Sequence, residues 1–177
     1  METNRRSVIA LALALLCTSV AAEAASGTDT QNTLVGAWRL VRYEDVPATG
    51  SSSFPFGRNP RGLLIYTPTG QMSIQVMAQP HPTVASGDEE TITSQEKQAL
   101  FDAFMAYFGT YEVDASRGVV IHHVEGDLWG VFDDNDEARP FEISGNTLML
   151  KPRWESGGKQ WLGIRVFERA TAPANGD

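Results

Sequence analysis

Apolar and polar residues alternate in short runs along most of this chain, and nearly every run ends at a cluster of Gly, Pro, Ser, Asn or Asp. A period of two is the pattern of a strand with one buried face. It is cleanest over 71–77, where Met72, Ile74 and Val76 stand against Gln71, Ser73 and Gln75. The run Gly62 to Thr67 precedes it, and Pro68-Thr69-Gly70 between them predicts a tight hairpin turn. The same reading predicts strands over 34–45, 110–114, 119–125, 138–143, 147–151 and 160–169. In the first of these the two faces read as Trp38, Leu40 and Arg42 against Ala37, Val41 and Tyr43. Loops fall at 47–60, 79–90, 127–136 and 152–159, and Ser116-Arg117-Gly118 and Ser144-Gly145-Asn146 read as turns.

One segment follows a different period. Thr93 with Glu96 three residues on has the form of a capping box. Leu100, Phe101, Phe104, Met105 and Phe108 then fall on one helical stripe. This predicts a helix over 94–107, ending before Gly109, between the third and fourth strands. Eight strands joined mostly by short consecutive connections favour antiparallel neighbours. The fold class expected is all-β: an eight-stranded antiparallel up-and-down barrel, of a size that encloses one small ligand. A two-sheet sandwich shares the turn spacing.

The first residues carry a different signal. Arg5 and Arg6, the apolar run Val8 to Cys17, and small residues at Ala22 and Ala24 have the form of a secretory signal, read over 1–24. Residues 25–33 read as a flexible leader, 34–169 as the barrel and 170–177 as a disordered tail. The expected location is therefore secreted or periplasmic. Cys17 is the one cysteine of the chain, so the mature protein would have no disulfide and its core would hold the fold alone. The signal contains two charges of each sign, so the net charge of −8 is unchanged by its removal. That balance argues against nucleic acid and anionic lipid as partners. No second long apolar run offers a membrane span.

The stretches Leu34 to Leu40, with Gly36-x-Trp38; Pro60 to Pro68; Tyr107 to Val113; His122 to Gly126; and Arg139-x-Phe141 together resemble the bacterial and fungal lipocalin-like domain family. The resemblance spans about Leu34 to Arg169. It implies a lipocalin-type barrel rather than a particular activity.

Several side chains are candidates for chemistry. Trp38 with Arg165 or Arg169 of the last strand would form a cation–π stack closing one barrel end. His122 and His123 are adjacent on a strand and so point to opposite faces. They cannot share a metal, no third ligand stands at metal spacing, and His81 is isolated in a loop, so neither metal nor cofactor is expected. One of the two histidines is expected to face the cavity. Tyr66, Tyr111 and Arg139 could add polar contacts to an apolar cavity, and Trp129 could form its mouth. The expected ligand-binding set is thus Tyr66, Tyr111, His122, His123, Trp129 and Arg139, with no catalytic residue assigned.

The acidic run 133–137 lacks the central glycine and the spaced bidentate glutamate of a calcium loop. Serine-hydrolase elbows, phosphate loops and dinucleotide fingerprints are absent from the sequence. Strand 119–125 is apolar on both faces, which calls for cover by the helix or by a partner chain such as a second copy. The function expected is an exported binding protein for a small apolar molecule. The alternative is a cofactor-independent isomerase or cyclase using a cavity histidine or tyrosine.

Overall fold

A computed structural model describes residues 32–132 and 134–171. The signal read over 1–24, the leader up to residue 31 and the tail from residue 172 lie outside the described residues. After a helical turn at 32–34 the strands are β1 (Gly36–Pro47), β2 (Arg61–Tyr66), β3 (Gln71–Met77), β4 (Phe104–Asp114), β5 (Val119–Asp127), β6 (Asp136–Ser144), β7 (Thr147–Leu150), β8 (Arg153–Ser156) and β9 (Lys159–Arg169). A 3-10 turn (Glu89–Thr91) and one helix, α1 (Ser94–Asp102), lie between β3 and β4.

Strands β1 to β7 pair antiparallel in order, β7 pairs with β9, and β9 returns to β1, with Trp38 opposite Arg169 and Pro47 opposite Trp161. The sheet is therefore closed and has no long free edge. Strand β8 extends β7 along the same side of β9. Leu150 faces Arg165, Arg153 faces Leu162, and the register between them is unbroken. Pro152 interrupts the ladder because it has no N–H to donate, although its carbonyl still accepts from Gly163 N at 2.8 Å. The barrel thus has eight staves, one of them notched. The loop expected from 152 begins only at the Gly157-Gly158 turn.

The helix is shorter than its stripe predicts. Thr93 forms the expected capping box with Glu96, but α1 stops at Asp102 with Ala103 as its C-cap and buries none of its residues. From Phe104 the chain pairs with β3, Phe104 opposite Met77 through Thr110 opposite Gln71. Phe104 to Thr110 is rich in aromatic residues, which suit a pleated half-buried surface. As a strand it buries Met105, Tyr107 and Tyr111 on the inner face, which a helical stripe there could not do. The helix runs directly into β4 through Ala103. On β5, Ile121 is half-buried between its register partners Glu112 and Ala138.

The interior is filled from one end. Trp38, Leu64, Val120 and Leu148 are fully buried, and each such side chain stabilises the fold by roughly 1.5–3 kcal/mol. At this end the Arg169 guanidinium lies 4.1 Å over the Trp38 ring. Arg169 also donates to the carbonyls of Val35 (2.9 Å) and Thr33 (2.7 Å), and Trp38 Nε1 donates to Leu34 O at 2.8 Å. A Cβ on Gly36 would stand 2.8 Å from the Arg169 guanidinium, and the residue has φ +133. Glycine at this position is thus what lets the arginine cross the strand to the tryptophan.

Candidate ligand-binding site

The other end of the barrel is hollow. A cavity of about 350 Å³ opens there, near the lower end of the range of small-molecule sites, about 300–1,000 Å³. Its apolar wall comes from Ile74 of β3, Met105 of β4, Leu150 of β7 and Phe167 of β9. Trp129 and Phe132 reach it from the β5–β6 loop, and Trp154 of β8 from the notched stave. Two ion pairs stand among these groups. Arg139 donates to Glu137 Oε2 at 2.7 Å, and Arg165 donates to Asp45 Oδ1 at 2.6 Å. Arg165 also donates to Glu44 O at 2.5 Å and lies 3.4 Å over the Tyr43 ring. Each buried guanidinium therefore has a carboxylate partner, as burial of a charge demands.

A bulge in β1 accounts for Tyr43 and Asp45 on this wall. The register with β9 shifts between Leu40 and Arg42, which reverses which face each later residue takes. Strict alternation puts Tyr43 on the face opposite Trp38, whereas both face the interior. Arg165 and Arg169 consequently serve different aromatics, Tyr43 at the hollow end and Trp38 at the plugged end.

A polar cluster lies beside the cavity. His122 of β5 points into the barrel and is fully buried. Its Nε2 is 2.7 Å from the Tyr66 hydroxyl and its Nδ1 is 2.9 Å from the Tyr107 hydroxyl. The Tyr111 ring stacks at a tilt on Tyr66, with centroids 4.7 Å apart, and its hydroxyl donates to Thr67 O at 2.9 Å. Burial, with the Arg139 and His123 charges adding to it, holds the His122 imidazole well below its ordinary pKa, so it is neutral. Burial likewise pushes the Tyr66 and Tyr107 hydroxyls up, against the Arg139 charge.

The five stretches that carry the family resemblance divide between the barrel's two ends. The first supplies Trp38, and the other four send Tyr66, Tyr107, His122 and Arg139 to this cluster. A family model for the lipocalin-like domain matches residues 35–170. The chain belongs to that family. Neither the curated proteins nor the solved structures compared with this lipocalin-like chain gave a match.

Of the six residues expected to bind a ligand, Arg139 and Trp129 line the cavity. Tyr66, Tyr111 and His122 lie together in the cluster, with Tyr107 between His122 and the cavity. His123 faces outward, with its Nδ1 2.6 Å from Asp136 and its Nε2 3.9 Å from Glu112. Among the described residues no group of three His, Cys, Asp or Glu stands close enough to hold a metal ion. No described helix is long and apolar enough to cross a membrane.

Sequence reasoning missed Tyr107, Tyr43, Asp45, Glu137, Trp154 and Arg165 as wall residues. For Tyr107 a signal was present: Met105, Tyr107, Gly109 and Tyr111 continue the period of two back from the predicted strand. The loop carrying Trp129 and Phe132 is ordered by Asp127. Its carboxylate accepts from the amides of Trp129 (2.5 Å), Gly130 (2.6 Å) and Phe132 (2.5 Å). Partial burial works against the charge, but these amides outweigh it and keep the carboxyl below its usual pKa.

Proposed function

We propose that this lipocalin-like barrel binds one small, largely apolar molecule in its hollow end, and that it does so as an exported carrier. The observation that carries the reading is the cavity itself. One end of the barrel is filled and plugged, while the other keeps about 350 Å³ of space behind an aromatic and aliphatic wall. Displacing water from such a wall favours an apolar occupant. Four of the five charged wall groups pair, Arg139 with Glu137 and Arg165 with Asp45, and the exposed Arg153 is the fifth, so the wall carries one net positive charge rather than a field that would demand a strongly charged ligand. Export is supported by the signal-like sequence of residues 1–24.

Titration of the protein with N-phenyl-1-naphthylamine, a neutral three-ring fluorophore, tests the binding reading. The expected result is saturable one-to-one enhancement that Leu150→Trp, which fills the cavity, removes. Equal enhancement in wild type and filled variant would refute it. The rival reading, a cofactor-independent isomerase or cyclase, would have to act through a tyrosine of the wall, Tyr107 or the Arg165-covered Tyr43. Tyr107 lines the cavity, whereas His122 stands behind it.

A further inference from the structure

The hydrogen bonds around His122 assign direction to a chain of protons. A neutral imidazole donates from one nitrogen and accepts at the other. Tyr66 is fully buried, and among the described residues the hydrogen-bond partner of its hydroxyl is His122 Nε2. If Nε2 carried the proton, the Tyr66 hydroxyl would accept, and its own proton would be buried with no acceptor, which is unfavourable. With the proton on Nδ1, Tyr66 donates to Nε2 and Nδ1 donates to the Tyr107 oxygen. No buried proton is then stranded. The Tyr107 proton is the one left over, and Tyr107 is the member of the chain that lines the cavity. The Arg139 guanidinium beside that hydroxyl can only donate, so it cannot take this proton either.

We propose that Tyr107 presents its O–H to the cavity as a fixed donor, and that the ligand carries an acceptor oxygen, a carbonyl or carboxylate, which meets it there. This deepens the binding reading above and rests on it. Tyr107 is the specificity residue. His122 and Tyr66 are positioning residues that set the direction of the chain, with Tyr111 packed against Tyr66 to hold its ring. The apolar wall accepts many molecules of the right size, while the hydroxyl selects among them. A ligand without an acceptor would leave the donor dry and unpaired, which is how buried polar groups produce discrimination.

Two fluorophores of similar size separate the donor from the cavity. One is N-phenyl-1-naphthylamine, which has no carbonyl. The other is 6-propionyl-2-dimethylaminonaphthalene, whose ketone emission moves to longer wavelength on accepting a hydrogen bond. In the full chain, Tyr107→Phe is expected to weaken the ketone probe about tenfold, the effect of one lost hydrogen bond in a dry site. It should also move the bound ketone's emission to shorter wavelength, while affinity for the amine probe is kept or rises, because that probe no longer leaves a donor unpaired. Retained binding of the amine probe reports that the variant is folded. If the amine probe binds but the ketone probe is indifferent to Tyr107→Phe, the donor assignment is overturned and the binding reading stands. If neither probe binds the wild type, both fall. A second measurement is independent of any ligand: long-range proton–nitrogen correlation of His122 should show Nδ1 protonated and Nε2 bare, and the opposite tautomer overturns the proposal.

Discussion

At the scale of single residues, the barrel uses one side-chain type for opposite purposes. Arg169 braces a solid end by covering an indole and tying down two carbonyls, while Arg165 lines a hollow end and is neutralised there by Asp45. His122 is the residue whose charge state matters most. Its pKa is held well below the ordinary value, first by burial. As pH falls, the unfolded chain therefore takes up the proton before the folded chain does. The stability contributed by the neutral imidazole is complete above the unfolded value of about 6.5. It is lost as pH falls from there towards the lower folded value, by up to about 1.4 kcal/mol per pH unit. Urea unfolding midpoints measured from about pH 7.5 down to about pH 5.5 should decline in the wild type and be flatter in His122→Gln. Parallel profiles for the two proteins would count against the buried, neutral imidazole.

At the scale of elements, the helix and the strand after it divide a stretch that sequence alone assigns to one unit. The helical start was legible because Thr93 and Glu96 satisfy free amides locally, whatever the rest of the chain does. The helical end was not, because Phe104, Met105 and Phe108 fit a helical stripe as well as a strand, and pairing with β3 decided between them. The same limit applies at the site. Tyr66, His122 and Arg139 could be read from strands whose alternation is local. Tyr43 and Asp45 could not, since a bulge fixed by pairing with β9 turned them inward. Trp154 was hidden by Pro152, which interrupts the strand signal without ending the stave. Because α1 buries none of its residues, its stability depends on its cap rather than on packing. Thr93→Ala should speed amide exchange across Ser94–Asp102 by roughly fivefold, leaving protection of the β-ladders unchanged. Loss of protection throughout the barrel would show that the helix is structurally coupled to the core.

At the scale of the molecule, closure and cavity formation are assigned to opposite ends. The eight-stave barrel and the position of the helix between β3 and β4 were legible, because short connections and alternation leave few topologies open. Which end stays hollow was legible only in part, through Trp38. Its cavity wall is assembled from strands far apart in sequence. The division makes a prediction. Arg169→Ala removes a cation–π contact and two charge-assisted hydrogen bonds and should lower unfolding free energy by about 2–4 kcal/mol. Affinity for the neutral naphthylamine probe should stay within roughly twofold, since stability and binding are then set at separate places. A parallel loss of binding would mean that the plug also shapes the hollow.

The plug has a geometric corollary. Ala170 N donates to Ala37 O at 2.8 Å, and Arg169 grips Val35 O, so the first and last described segments leave the barrel side by side at its sealed base. Immobilising the barrel through residue 32 or residue 171 would therefore hold the mouth outward, away from the support. A sensor built on this chain could be attached at one end and read at the other without the linker competing for the entrance.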